Sequence, residues 1–217
     1  GFVRRFDIGH RGVRKAIEEG KIGDLHQVVI TSRDPDIAPD SYIEVSGGIF
    51  RDMTIHDFDM ARFILGEDIT TVSATGSRLV SPALMERCDD YDTVSVVLTT
   101  ASGKQCIINN SRRAVYGYDQ RVEALGSLGM AISENRPMNH TRLYNAGFTD
   151  QAAPLLNFFI DRYNTAFAAE IDAFVDAIER GIAPEVGFED GRQALILAEA
   201  AIRSAKESRT VNISEIG

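Results

Sequence analysis

The segment DTVSVVLTTASGKQCIINNSRRAVYGYDQRVEALGSLGMAIS, residues 92–133, alternates β-branched and apolar residues with polar ones and is cut by short Ser, Gly and Asp turns. Such runs, separated by hairpin-length links, predict consecutive antiparallel strands with one buried and one open face. ITTVSATGSRLV at 69–80 adds a strand before them, and LHQVVITSR at 25–33 is another β-rich stretch that ends in the turn chemistry of SRDPD. Helical patterns surround the strands. RGVRKAIEEGKIG at 11–23 stops at Gly20 and Gly23; RDMTIHDFDMARFILG occupies 51–66; two more helices are expected at about 155–180 and 188–207, joined by IAPEVG. Helix, strand, helix, a run of strands and then helices predicts one α+β domain over 1–217, a largely antiparallel open sheet with helices packed on one face.

Composition narrows the function classes. The 217 residues are 44% hydrophobic and 25% charged, enough for one sizeable core. With 23 Lys and Arg against 32 Asp and Glu, the net charge of -9 argues against nucleic acid as a partner, since phosphate contacts need a basic patch. Cys88 and Cys106 are too few for a disulfide framework and too far apart for a CxxC pair, which fits a reducing cytoplasm. No apolar run reaches the ~20 residues of a membrane span. A dinucleotide-binding unit would need strand, GxGxxG turn and helix; GSLG at 126–129 has the wrong spacing. GFVRRFD opens without a Met and reads as the middle of something longer.

The 51–66 helix carries the chemistry. At 100° per residue, Asp52, His56, Asp59 and Phe63 fall on one line, while Met53, Met60, Ile64, Phe58, Ala61 and Leu65 cover most of the remaining surface. A helix so apolar is expected to be buried, and its polar stripe to face a cleft. His56 suits a general base for removing a hydroxyl proton, and Asp52, one turn earlier, is placed to accept from one imidazole nitrogen and to stabilise the imidazolium. Asp59, one turn later, could bind further hydroxyls. On spacing alone a satisfied polar seam stays open as an alternative. So does a metal bound by Asp52, His56 and Asp59, although HExxH is absent and no metal is expected.

GFVRRFD, IEEGKIGDLHQVVITSRDP, GGIFRDMTIHDFDMARFILGE and NNSRRAVYGYDQRVEALGSLGM together resemble the C-terminal domain of the glucose-fructose oxidoreductase and inositol dehydrogenase (Gfo/Idh/MocA) family, its inositol 2-dehydrogenase members in particular. The resemblance covers essentially the whole chain. It implies the substrate-binding and oligomerisation domain of an NAD-dependent (or NADP-dependent) enzyme that oxidises a ring hydroxyl of myo-inositol, with the cofactor held mainly by an N-terminal Rossmann domain. The family's catalytic Asp and His fall on Asp52 and His56. Its Lys, in an E-K-P motif on the Rossmann side, has no counterpart here, so this polypeptide alone is expected to reduce no NAD. The resemblance also implies substrate contacts from Asp34, Asp59 and Tyr116. Thr54 could donate to the polyol or merely help to begin the helix, and Arg5 is a weaker candidate for touching the cofactor. A homodimer or homotetramer through the sheet is expected. Another sugar or polyol as substrate, or a carbohydrate-binding or assembly module without catalysis, are the alternatives.

Overall fold

The computed structural model describes residues 1–216. A 3-10 turn at Val3–Phe6 leads into α1 (Ile8–Glu18), which starts where the Asp7 carboxylate accepts from the backbone N–H groups of Gly9 and His10. Strand β1 (Leu25–Arg33) follows with the bounds read from the sequence. The expected 51–66 helix is interrupted. After the short α2 (Asp40–Ile43) come α3 (Ile49–Asp52) and α4 (Thr54–Leu65), with Met53 at φ -106° and ψ -57° between them. The Asp90 carboxylate, from a distant loop, accepts from the Ile49 N–H at 2.9 Å and so caps α3. Gly66, at φ 64°, ends α4 in the left-handed region that favours glycine.

The chain continues through β2 (Ile69–Ser77), α5 (Pro82–Arg87), β3 (Thr93–Thr100), β4 (Gln105–Ser111), β5 (Asp119–Gly126) and β6 (Gly129–Ser133). An arm then carries the two-residue strands β7 (Arg142–Leu143) and β8 (Gln151–Ala152). The long α6 (Phe159–Arg180), α7 (Phe188–Glu207) and the edge strand β9 (Val211–Asn212) complete the fold. The main sheet has the order β6-β5-β1-β4-β3-β2-β9. It is antiparallel except where β1 runs parallel to β4, because β1 is inserted between β5 and β4 and the chain returns to its side only after a long crossover.

One sheet face is the core. Val28, Ile30, Cys106, Ile108, Val96, Leu98 and Val122 point inward and meet Phe58, Ala61 and Ile64 of α4 and Leu197 and Ala201 of α7. Their alternation partners, among them Val97, Leu125, Met130 and Ile132, are exposed on the open face. Helix α6 departs from the expected arrangement: it packs on the 3-10 turn through Tyr163 and Ala166 rather than lying on the sheet.

Candidate functional site

The polar groups of the α3–α4 region meet the carboxyl-terminal ends of β1 and β4 and the 3-10 turn. His56, in the first turn of α4, lies edge-on to Phe2 with ring centroids 5.9 Å apart. Its Nδ1 is buried and has no hydrogen-bond partner. Burial, aided by the Arg4 charge and opposed by Asp52, lowers its pKa to about 4, so the imidazole is neutral at pH 7.

Asp52 reaches His56 through charge, not through the hydrogen bond that helical spacing suggests. Its Oδ1 accepts from the Tyr42 hydroxyl at 2.5 Å, and its Oδ2 accepts from the Arg112 guanidinium at 2.9 Å. The break at Met53 is the reason, since it takes Asp52 out of the helix that carries His56. Arg112 also reaches Asp90 at 3.4 Å and thereby braces both ends of α3.

Asp34, just past the end of β1, is the third acidic member. Burial raises its carboxyl to about 6, against the pull of Arg4 and Arg112 and with the push of Asp52 and Asp57. A carboxyl group so placed can be either donor or acceptor near neutral pH. Beneath it, Arg4 donates to Asp57 at 2.5 Å, and Asn110 donates to the other Asp57 oxygen at 2.8 Å. Asp57 is fully buried, and burial raises its pKa although the Arg4 charge and hydrogen bonds from Asn110 and Arg4 pull it down.

Several expected contacts fall elsewhere. Asp59 is fully buried and accepts from Arg5 at 2.8 and 2.5 Å, leaving no oxygen facing the site. Arg5 gives Nε and Nη2 to Asp59 and shares Nη2 with Asp190, so its charge is already met by two carboxylates. Thr54 is buried too, and its hydroxyl donates to Asn110 at 2.7 Å, a brace under the site rather than a wall of it. Because Asp59 turns to Arg5, the three-residue metal reading does not assemble. Among the described residues no cluster of three or more His, Cys, Asp or Glu groups is placed to hold a metal ion.

Tyr116 is half exposed, and its hydroxyl donates to Asp119 at 2.6 Å and accepts from Arg33 at 2.8 Å, a group that shares no member with the surroundings of His56. Tyr118 is buried edge-to-face against Tyr163 at 6.2 Å; burial raises its pKa, and Arg4, Asp34 and Asp57 are among the charges nearest to it. Gly117, at φ 124°, turns the chain so that two tyrosines at strand-like spacing do not share a face. Arg112, Tyr42 and Tyr118 are thus the members that sequence reasoning missed; Arg112 and Tyr118 lie inside the NNSRR and YGYDQ segments, and nothing in the sequence marked Tyr42.

The cleft of about 360 Å³ between α1 and the end of α4 is a separate feature: Arg5, Arg14 and Arg62, which line it, are already paired with acidic groups. No described helix is long and apolar enough to cross a membrane. No strand–GxGxxG–helix unit is present among the described residues.

The model of the GFO/IDH/MocA C-terminal domain matches residues 10–132. The inositol 2-dehydrogenase of Rhizobium meliloti (strain 1021) is 53% identical over 215 residues, covering 99% of this chain and 64% of the relative. A crystal structure of a myo-inositol dehydrogenase from Corynebacterium glutamicum superposes with a TM-score of 0.95 at 47% identity, over 98% of this chain and 63% of that one. The scyllo-inositol dehydrogenase from Lactobacillus casei, solved with bound NAD(H) and scyllo-inositol, gives 0.89 at 28% identity, over 99% and 64%. The chain therefore spans a little under two thirds of the length of the relatives it matches.

Proposed function

The chain belongs to the Gfo/Idh/MocA family, as its C-terminal domain, and from that premise we propose that it is the substrate domain of an NAD-dependent inositol 2-dehydrogenase. The observation that carries this reading is His56: a half-buried, neutral imidazole with a buried and unpartnered Nδ1, under the charge of an Asp52 carboxylate that Tyr42 and Arg112 hold fixed. The names of the relatives supply the substrate class, a cyclic polyol.

Oxidising a secondary alcohol requires the hydroxyl proton to leave as hydride departs from carbon. His56 takes that proton. The Asp52 charge favours the imidazolium that results, against the opposing Arg4 charge. Asp34, Arg112 and Tyr118 offer the mixture of donors and acceptors that a ring bearing several hydroxyl groups needs. The nicotinamide that accepts the hydride is held, in this reading, outside the 217 residues. The exposed Val97, Leu125, Met130 and Ile132 on the open sheet face support pairing of copies as a homodimer or homotetramer.

The test is NAD reduction at 340 nm with myo-inositol, using the polypeptide extended by its natural upstream sequence. Turnover is expected, and His56→Ala is expected to lower kcat by at least about 10²-fold. The 217-residue chain alone is expected to give none. Absence of turnover on every cyclic polyol by the extended polypeptide would refute the reading.

A further inference from the structure

Tyr42 is a rim residue that neither the motif nor the spacing singles out. It lies on α2, the residue is 48% exposed, and its hydroxyl donates to Asp52 Oδ1, 2.5 Å away. That hydrogen bond to Asp52, together with burial, pushes the phenol up to about 12, so it keeps its proton at neutral pH. A phenol has one proton to give and also accepts, and among the described residues nothing donates to this oxygen. Its acceptor side is therefore free, at the open edge of the site, with Asp52, Arg112 and Asp34 as its charged neighbours.

The segment that carries Tyr42 is anchored. Ile43 packs with Leu84 and Met85 of α5 in a small cluster separate from the main core, and Arg87 of α5 pairs with Asp40 and Glu44 on either side of α2. The phenol is thus held at the rim from two directions, by α5 behind it and by Asp52 in front. A half-exposed tyrosine so fixed is a preorganised contact, not a frayed loop side chain.

We propose that Tyr42 contacts the substrate and determines specificity: its oxygen accepts a hydrogen bond from a ring hydroxyl next to the one that is oxidised, while its own proton stays on Asp52. This rests on the polyol dehydrogenase reading given above. The geometry carries it, because any hydroxyl that approaches Asp52 Oδ1 from solvent must pass within reach of the phenol that already occupies one of its acceptor positions. A site that hydrogen-bonds a hydroxyl discriminates against the analogue that lacks it.

The experiment compares wild type and Tyr42→Phe in the naturally extended polypeptide, with myo-inositol and with its monodeoxy analogues taken in turn. Phe keeps the ring, and a thermal melt checks that the fold is kept. The expected result is a KM for myo-inositol raised about 10-fold with kcat changed less, the loss of one hydrogen bond to a hydroxyl. One deoxy analogue is expected to show the same KM in wild type and variant, since the hydroxyl that Tyr42 reads is missing from it. An equal loss on every analogue would overturn the proposal and leave Tyr42 as a prop for Asp52; no loss on any would overturn it outright. Wild type that turns over no polyol would sink the parent reading, and the Tyr42 proposal with it.

Discussion

Helices α4 and α6 handle their side chains in opposite ways. Of the twelve residues in α4, eight are buried, and three of those, Thr54, Asp57 and Asp59, are polar. Of the twenty-two in α6, four are buried, while Phe167, Ile171, Phe174, Val175 and Ile178 form a helically spaced stripe open to solvent. The shorter helix is enclosed by the sheet and α7 and can therefore hold charges away from water, provided each has a partner. The longer one has an apolar face that nothing covers among the described residues. Amphipathic spacing announces that a face is to be covered without saying what covers it, whereas a buried carboxylate identifies its own partner.

Truncations should separate the two helices most sharply. Phe58→Ala in α4 is expected to lose about 3–5 kcal/mol of unfolding free energy in urea melts, because the ring is fully enclosed in the main core. Phe174→Ala in α6, with 52% of its residue surface already exposed, is expected to lose under about 1 kcal/mol. Equal losses would mean that α6 is covered in solution. Charges give the next contrast. Arg4→Met leaves Asp57 buried without its cation and is expected to cost about 3–5 kcal/mol, most of it recovered in Arg4→Met/Asp57→Leu. Breaking the exposed Arg180–Asp176 pair of α6 by Arg180→Ala is expected to leave the melt unchanged. A double variant no better than Arg4→Met alone would show that the ion pair does more than satisfy itself.

What could be read from the chain follows the same division. Strand β1 and the end of α7 were legible to the residue, because alternation and helix periodicity are local properties. Asp52 and His56 were legible as a pair of residue types at a spacing. Their relation was not, since Met53 interrupts the helix and Arg112, sixty positions away, claims the carboxylate. Asp59 failed for a similar reason: its partner Arg5 lies fifty-four positions upstream and is brought in by the 3-10 turn. Tyr116 was named from its motif alone; Gly117, at φ 124°, sends it to Arg33 and Asp119, while Tyr118 lies with Arg4, Asp34 and Asp57 among its nearest charges.

The smallest expected effect concerns pH, and it again separates a buried helix from a bare one. His56 of α4 has its pKa lowered by burial, and by Arg4, from 6.5 to about 4, whereas α6 contains no histidine. Between those values the unfolded chain binds a proton that the folded chain refuses, so the proton count is higher in the unfolded state and stability falls as pH is lowered. Asp34 works in the other sense. Its carboxyl, raised by burial to about 6, takes up a proton in the folded state before the unfolded chain does, and this adds stability as pH falls from 6 toward 4. The net slope of wild type mixes the two, but the variants part them. His56→Gln, melted at pH 7 and pH 4.5, is expected to lose less stability on acidification than wild type by on the order of 1–2 kcal/mol, and Asp34→Asn is expected to lose more than wild type. If His56→Gln and wild type lost the same amount, the imidazole would be free to take its proton in the folded chain, and burial would not be what keeps it neutral.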